Sequence, residues 1–170
     1  MNLERLQRVF LGAGFMALWL GLFSCIMNES VGHDENMYIS AGVLANSQSL
    51  YADFAYLQMP YLPLLYATIY KLTGTSHYLL WGRLFSFGFM AVASLLVYFI
   101  SRKISGSRLV ASCMVVIFGF NGVLIRTVGY SWNSVMPIPL ALGGFYLFIL
   151  GMSERAGPSG SGGEGRQKAE

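Results

Sequence analysis

Charged residues are scarce in this sequence. They make up 11% of its 170 residues, whereas an ordinary soluble domain has about 25%. Hydrophobic residues make up 55%, and the mean hydropathy is +0.54. This balance excludes a water-soluble globular enzyme and a disordered chain, because both need far more polar surface. The net charge of +3 is also too small, and too confined to the ends of apolar segments, for a nucleic-acid-binding protein.

Cysteine is scarce as well. The sequence has two, Cys25 and Cys113, and both lie inside apolar runs. A disulfide framework requires paired thiols in aqueous loops. We therefore predict no disulfide scaffold.

Long apolar runs are the main feature that is present. A hydrocarbon core about 30 Å thick is crossed by roughly 20 apolar residues in a helix. Four stretches approach that length, at about 9–27, 79–100, 109–125 and 134–152. The first is longer than the apolar core of a signal peptide, roughly 7–15 residues, and no small-residue cleavage site follows it. The sequence therefore predicts an all-α integral membrane protein with four transmembrane helices, the first uncleaved.

The distribution of basic residues predicts the orientation. With the N-terminus in the cytoplasm, eight Lys and Arg residues lie inside, and three lie outside: Lys71, Arg83 and Arg126. Cytoplasmic loops carry the excess of Lys and Arg. Both termini are therefore predicted to be cytoplasmic, and the 28–78 segment to be an outer loop. The Gly/Ser-rich segment 153–170 is predicted to be a disordered cytoplasmic tail or the start of a linker to a further portion.

The outer loop contains most of the residues capable of chemistry. It has seven of the ten tyrosines, both histidines and both aspartates, Asp34 and Asp53. Apolar spacing predicts a helix at about 34–48 with Asp34 as its N-cap. A second helix is predicted from Pro60 or Pro63 to about Leu72. It is too short to span, and its tyrosines suit the membrane interface.

Two adjacent carboxylates, Asp34 and Glu35, come directly after the first apolar stretch. A carboxylate there can accept a proton from an attacking hydroxyl or hold a divalent cation. The same residues can equally serve as helix-start residues. Arg83 matches the geometry of phosphate oxygens, although it and the other outer basic residues can also be interfacial anchors. No cluster of metal ligands has a recognisable spacing, so metal dependence is left open.

Three sequence elements resemble a known family. They are HDENMY (33–38), LYADFAYLQMPYLPLLYATIYKLTG (50–74) and WGRLFS (81–86). Together with the topology, they resemble the N-terminal part of the GT-C superfamily of multi-spanning glycosyltransferases. The pattern is most similar to the group of protein O-mannosyltransferases and lipid A aminoarabinose transferases. The resemblance covers roughly 5–152.

The resemblance implies inverting transfer of a sugar from a polyprenyl-phosphate donor to a lipid, protein or glycan acceptor. Asp34 would be the catalytic carboxylate and Glu35 its support. Substrate or phosphate binding is expected from Asp53, Tyr56, Lys71, Arg83 and Arg126. The expected location is a bacterial plasma membrane, with the active loop periplasmic.

Two features depart from the family pattern. Asn133 stands about where members often have a second carboxylate, and an amide cannot act as a base. Complete members also have more spans, so we expect a truncated or split member that needs a C-terminal portion or partner subunit. The alternatives are a non-catalytic membrane subunit or lipid-binding module and, third, a small transporter subunit. A transporter predicts polar residues at mid-span, where the sequence has almost none; Asn121 is predicted to be buried there and to bond a neighbouring helix.

Overall fold

Helices and the loops that connect them make up the described part of the chain. The computed structural model describes residues 3–155, and the helices and their bounds within this range are α1 (Leu3–Asn28), α2 (His33–Leu44), α3 (Tyr61–Thr73), α4 (Tyr78–Ser105), α5 (Arg108–Gly119), α6 (Gly122–Gly129) and α7 (Pro137–Arg155). No strand occurs among these residues, apart from a single isolated bridge between Leu50 and Phe54. The predicted all-α class is therefore confirmed for residues 3–155. Most of the predicted tail, 153–170, lies outside the described residues.

One helix, α4, is long and apolar enough to cross a membrane by itself. Its 28 residues would extend about 42 Å at 1.5 Å per residue. Two bent pairs also reach the required length and composition: α1 with α2, bent by 82°, and α5 with α6, bent by 58°. The apolar helix α7 is shorter. The described residues thus provide one span, or up to three if each bent pair counts as one, and the four predicted spans remain a prediction.

The third predicted stretch, 109–125, is not one continuous helix. α5 ends at Gly119, and α6 begins at Gly122 after a bend. The side-chain Oδ1 of Asn121 accepts hydrogen bonds from the backbone N–H groups of Val123 and Leu124, so it starts a new helix. The prediction that Asn121 is buried and bonds a neighbouring helix was wrong, because Asn121 is exposed. Asparagine bonds its own backbone readily and favours a helix start over a helix interior.

The segment predicted to be the outer loop, 28–78, forms a hairpin of α2 and α3, whose bounds are similar to those of the two helices predicted there. α3 begins after Pro60 and ends at Gly74, whose φ of 60° lies in the left-handed region that glycine tolerates. The two helices touch closely: a Cβ at Gly42 would lie 2.7 Å from Cβ of Tyr66. The predicted N-cap was wrong. The N-cap is Gly32, with no side-chain cap bond, and Asp34 lies in the first helical turn.

Buried tyrosines form the core of this hairpin, where Tyr38, Tyr56, Tyr66 and Tyr70 pack with aliphatic side chains. The Tyr38 hydroxyl donates a hydrogen bond to Oε1 of Gln58 at 2.6 Å. The hydroxyl of Tyr70 donates to the carbonyl of Tyr78 at 3.1 Å. The hairpin is therefore tied both to the 50–60 segment and to the start of α4.

This core should make the hairpin sensitive to alkali. Tyr66 is fully buried, and burial raises its pKa to about 12; burial also raises the pKa of Tyr56 and Tyr70. When folding raises the pKa of a tyrosine, the neutral side chain makes its full contribution to the free energy of unfolding below the ordinary tyrosine pKa of about 10. That contribution is lost as the pH rises from about 10 toward 12. For Tyr66 the loss is roughly 2–3 kcal/mol.

Tyrosinate absorbance and helical circular dichroism, followed together through an alkaline titration, test this expectation. Some tyrosines should ionise only as helix content falls. Tyr66→Phe should move the loss of helix to higher pH, because it removes one ionisable group from the core. A titration in which every tyrosine ionises near pH 10 with the helices intact would contradict it.

A second cluster joins α1, α4, α6 and the connection from α6 to α7. Its buried members are Ile26, Met90, Val128 and Val135. Trp19 and Phe23 of α1 both meet the ring of Phe87 edge-on, at centroid distances of 5.3 and 5.4 Å. This packing places the end of α1, the first turns of α4 and the end of α6 side by side.

Candidate functional site

A buried ion pair lies where these elements meet. Glu35 of α2 is 0% exposed and Arg83 of α4 is 3% exposed. The guanidinium binds the carboxylate through two parallel bonds, Nε to Oε1 at 2.9 Å and Nη2 to Oε2 at 3.0 Å. This two-bond arrangement is the strongest that Arg and a carboxylate form. It joins residues 48 positions apart in the sequence.

Arg83 also closes the end of α1. Its Nη1 donates to the carbonyls of Ile26 and Met27, both at 3.0 Å. The last carbonyls of a helix have no following amides to bind them, and a cation is favourable at that end. Arg83 therefore fixes the end of α1 to the start of α2 while belonging to α4.

Ser131 adds a fourth segment, the connection from α6 to α7. It is fully buried, and its hydroxyl donates to Oε1 of Glu35 at 3.3 Å. Its φ of 49° is unusual for a non-glycine residue, and such a conformation costs of order 1–3 kcal/mol. The bond to Glu35 helps to hold this conformation, which fixes the direction of the neighbouring side chains.

Those neighbours, Tyr130 and Trp132, form one wall of an open pocket. Their rings are stacked, with centroids 6.0 Å apart and planes 22° apart. The pocket has a volume of about 280 Å³, and the chain segment that leads into α2 supplies its other wall; the lining residues are Ser30, Gly32, His33, Asp34, Tyr130 and Trp132. Asp34 is partly exposed there. The pocket therefore combines a carboxylate with an aromatic surface.

The position of Tyr130 depends on two contacts. Its hydroxyl donates to Oε1 of Glu29 at 3.0 Å. Its ring lies against the backbone of Gly32, where an added Cβ would come within 2.7 Å of the Tyr130 Cδ1 atom. A larger residue at position 32 would displace the ring, so glycine is needed for the shape of the pocket.

The two predicted catalytic residues have different environments, although they are adjacent. Glu35 is buried in the ion pair, whereas Asp34 faces the pocket. Because successive helical residues point about 100° apart, only one of the pair can face the interior. Arg83, predicted to bind phosphate, donates through Nε, Nη1 and Nη2 to protein acceptors.

The other predicted binding residues do not line the Asp34 pocket. Asp53 is exposed, and its Oδ2 accepts a hydrogen bond from the backbone N–H of Ser49 at 2.6 Å. Tyr56 is 7% exposed, and among the described residues its hydroxyl has no hydrogen-bond partner. Lys71 is exposed in the last turn of α3, and Arg126 is exposed in the last turn of α6. Within residues 3–155, no group of three or more His, Cys, Asp or Glu side chains could hold a metal ion.

Sequence reasoning missed Tyr130, Ser131 and Trp132. The signal was available in part, since the YSWN segment (130–133) sets two aromatic residues beside a serine between two apolar stretches. Aromatic side chains at the end of a span are often only interfacial, and nothing local shows that this segment meets α2. No family model, curated protein or solved structure matches the chain.

Proposed function

We propose that the chain is a membrane glycosyltransferase module that transfers a sugar from a polyprenyl-phosphate donor to a lipid, protein or glycan acceptor at the outer membrane face. The observation that carries the proposal is the Asp34 pocket. It sets a partly exposed carboxylate opposite a stacked aromatic pair, six residues after the end of an apolar helix. In the proposed topology, four spans cross a bacterial plasma membrane and both termini lie on its cytoplasmic side.

Asp34 is the proposed general base. Its carboxylate opens to the pocket, where it can accept the proton of an attacking hydroxyl. Glu35 is the proposed positioning residue, because its pair with Arg83 fixes the first turn of α2 and so the direction of Asp34. In this arrangement Asp34 acts as the base and Glu35 holds it in place. A catalytic group works best when a rigid support fixes its position.

The aromatic pair is the proposed platform for the sugar ring. Trp132 is 37% exposed, so one face of the stacked pair remains open to a ligand. Apolar C–H faces of a sugar pack against aromatic rings, whereas its hydroxyls bind carboxylates and backbone groups. At about 280 Å³, the pocket suits one sugar ring better than an extended oligosaccharide.

Arg126 is the proposed phosphate-binding residue. Arg83 is nearly fully buried and is already bound to Glu35, so a phosphate would have to displace a protein carboxylate to reach it. Arg126 is exposed, and it shares a helical face with Val123 and Tyr130 at spacings of three and four residues. A lipid along this face would bring its phosphate to Arg126 and its sugar to Tyr130.

Photolabelling in lipid vesicles tests the proposal. The full chain should be labelled by a photoreactive polyprenyl phosphate, and Arg126→Gln should lower labelling roughly tenfold, as expected for loss of a charge-assisted contact. Arg108→Gln is the matched control, because Arg108 is exposed at the opposite end of the α5–α6 pair. Equal labelling of both variants would contradict the proposed site.

One observation favours a second candidate, the non-catalytic lipid-binding module. Only one carboxylate, Asp34, lines the pocket, and Asn133 stands where a second acidic residue was expected from the family. Such a module would keep the Arg126-dependent labelling and would not depend on Asp34. Sugar transfer by the Asp34 variant, considered in the Discussion, separates the two candidates.

A further inference from the structure

Two apolar cavities lie side by side in the cleft between α1 and α5. One, of about 550 Å³, has walls from α1, α4 and α5, and its lining residues include Trp19, Leu95 and Val115. The other, of about 780 Å³, extends along α1 and α5. Phe15 and Ser112 line both cavities. The two volumes are therefore neighbouring parts of one cleft.

The cleft is narrow at one end and wide at the other. A Cβ at Gly119, the last residue of α5, would lie 3.7 Å from Cδ1 of Leu22, so the two helices are in contact there. Gly12 and Gly14 of α1 line the larger cavity. A Cβ at either of them would have no atom of another described element within 4 Å. The space beside the earlier turns of α1 is therefore large enough for a ligand.

The charge of the cleft is concentrated at its wide end. The lining of the larger cavity runs from Arg108, the first residue of α5, to Phe120, which follows its last residue. That length of helix extends about 18 Å, so the cavity is elongated. Arg108 is exposed, and it is the one charged side chain among the described residues that line either cavity.

We propose that this cleft binds an anionic glycerophospholipid, with its phosphate at Arg108 and its two acyl chains in the two cavities. A guanidinium matches phosphate oxygens, and basic sites between helices of membrane proteins bind anionic lipid head groups. The apolar length beyond Arg108 complements an acyl chain, and a pair of adjoining cavities suits a lipid with two chains. The proposal is independent of sugar transfer and of the Asp34 pocket.

Photolabelling by a phospholipid tests the role of the charge. The probe is a phosphatidylglycerol with a photoreactive group on one acyl chain, present at a small fraction in phosphatidylcholine vesicles that contain the full chain. Labelling should be concentrated on the facing residues of α1, α4 and α5. Arg108→Gln should lower it roughly tenfold, as expected for loss of a charge-assisted contact. A phosphatidylcholine with the same photoreactive chain should label the cleft as weakly as phosphatidylglycerol labels the variant.

The matched control is Lys103→Gln. Lys103 is an exposed basic residue in the last turn of α4, and it does not line either cavity. Its loss removes the same charge from the chain and should leave the labelling unchanged. Because the proposed ligand at Arg108 is a phospholipid, Arg108→Gln also remains the control for polyprenyl phosphate labelling at Arg126.

A second pair of variants tests the cavities. Ser112 is exposed and lines both of them, so Ser112→Phe should fill the place of the acyl chains and lower labelling several-fold. Cys113 is the next residue, is also exposed and lines neither cavity. Cys113→Phe should therefore leave labelling unchanged, and circular dichroism should show the same helix content in both variants.

Four outcomes would overturn the proposal. They are equal labelling of the cleft by the two phospholipids, equal effects of Arg108→Gln and Lys103→Gln, and labelling spread evenly over all the apolar helices. The fourth is displacement of the phosphatidylglycerol probe by an equal amount of polyprenyl phosphate, because the cleft would then be an isoprenoid site.

Discussion

Neutralising one partner of the Glu35–Arg83 pair is expected to destabilise the chain by about 3–5 kcal/mol, because the remaining charge is buried without its partner. Both side chains are at most 3% exposed. Arg83→Met has a further cost, because the carbonyls of Ile26 and Met27 lose their donor. Equilibrium unfolding in mixed detergent micelles measures the change. Arg126→Met is the control, since it removes an exposed guanidinium.

Replacing both partners together should cost less than either single change. In Glu35→Leu with Arg83→Met, no charge is left without a partner, and an apolar pair can replace a buried ion pair at little cost. The double variant should therefore recover part of the stability lost by Arg83→Met alone. If Arg83→Met and Arg126→Met destabilise the chain equally, the pair does not hold α1, α2 and α4 together as described.

Loss of the Asp34 carboxylate is expected to lower sugar transfer by about 10²–10⁴-fold, the usual contribution of a general base. Asp34→Asn keeps the size of the side chain and removes its ability to accept the proton. Because the proposed phosphate contact is made by Arg126, photolabelling by polyprenyl phosphate should be unchanged. The effect is measured as transfer from a labelled polyprenyl-phosphate sugar to lipid or protein acceptors, in vesicles that contain the chain together with the C-terminal portion or partner subunit expected to complete it.

The matched control for this variant is Ser40→Ala, an exposed position on the same helix. It should leave both transfer and labelling unchanged. Full transfer by Asp34→Asn would refute the catalytic role and favour the non-catalytic lipid-binding module. Transfer by the unsubstituted chain alone would refute the expectation that a further portion or a partner subunit is needed.

The local elements of the fold could be predicted because their signals are local. α3 lies between Pro60 and Gly74, and the preferences of these two residues for helix starts and ends are properties of their own backbones. The helix that begins near Asp34 follows from its apolar spacing. The charge pattern likewise predicts an orientation without reference to packing.

The different environments of Asp34, which lines the pocket, and Glu35, which is buried, could not be predicted in this way. Which of two adjacent carboxylates turns inward depends on Arg83 and Ser131, which lie 48 and 96 positions from Glu35. The left-handed conformation of Ser131 has no signature in residue type, because serine seldom adopts it. The prediction for Asn121 failed for a related reason. Whether its side chain caps a new helix or lies within a continuous one depends on whether the helix continues past position 121.

The sequence separation of the ion pair sets an order of assembly during synthesis. Glu35 emerges from the ribosome 48 residues before the arginine that neutralises it. Until α4 is made, the carboxylate of Glu35 has no guanidinium to pair with, and a carboxylate without a partner is costly to bury. The hairpin can therefore dock only after α4 has been made. The hydrogen bond from Ser131 to Glu35 forms later still, because Ser131 is a further 48 residues along the chain. A nascent chain stalled before Arg83 would leave the hairpin open to protease.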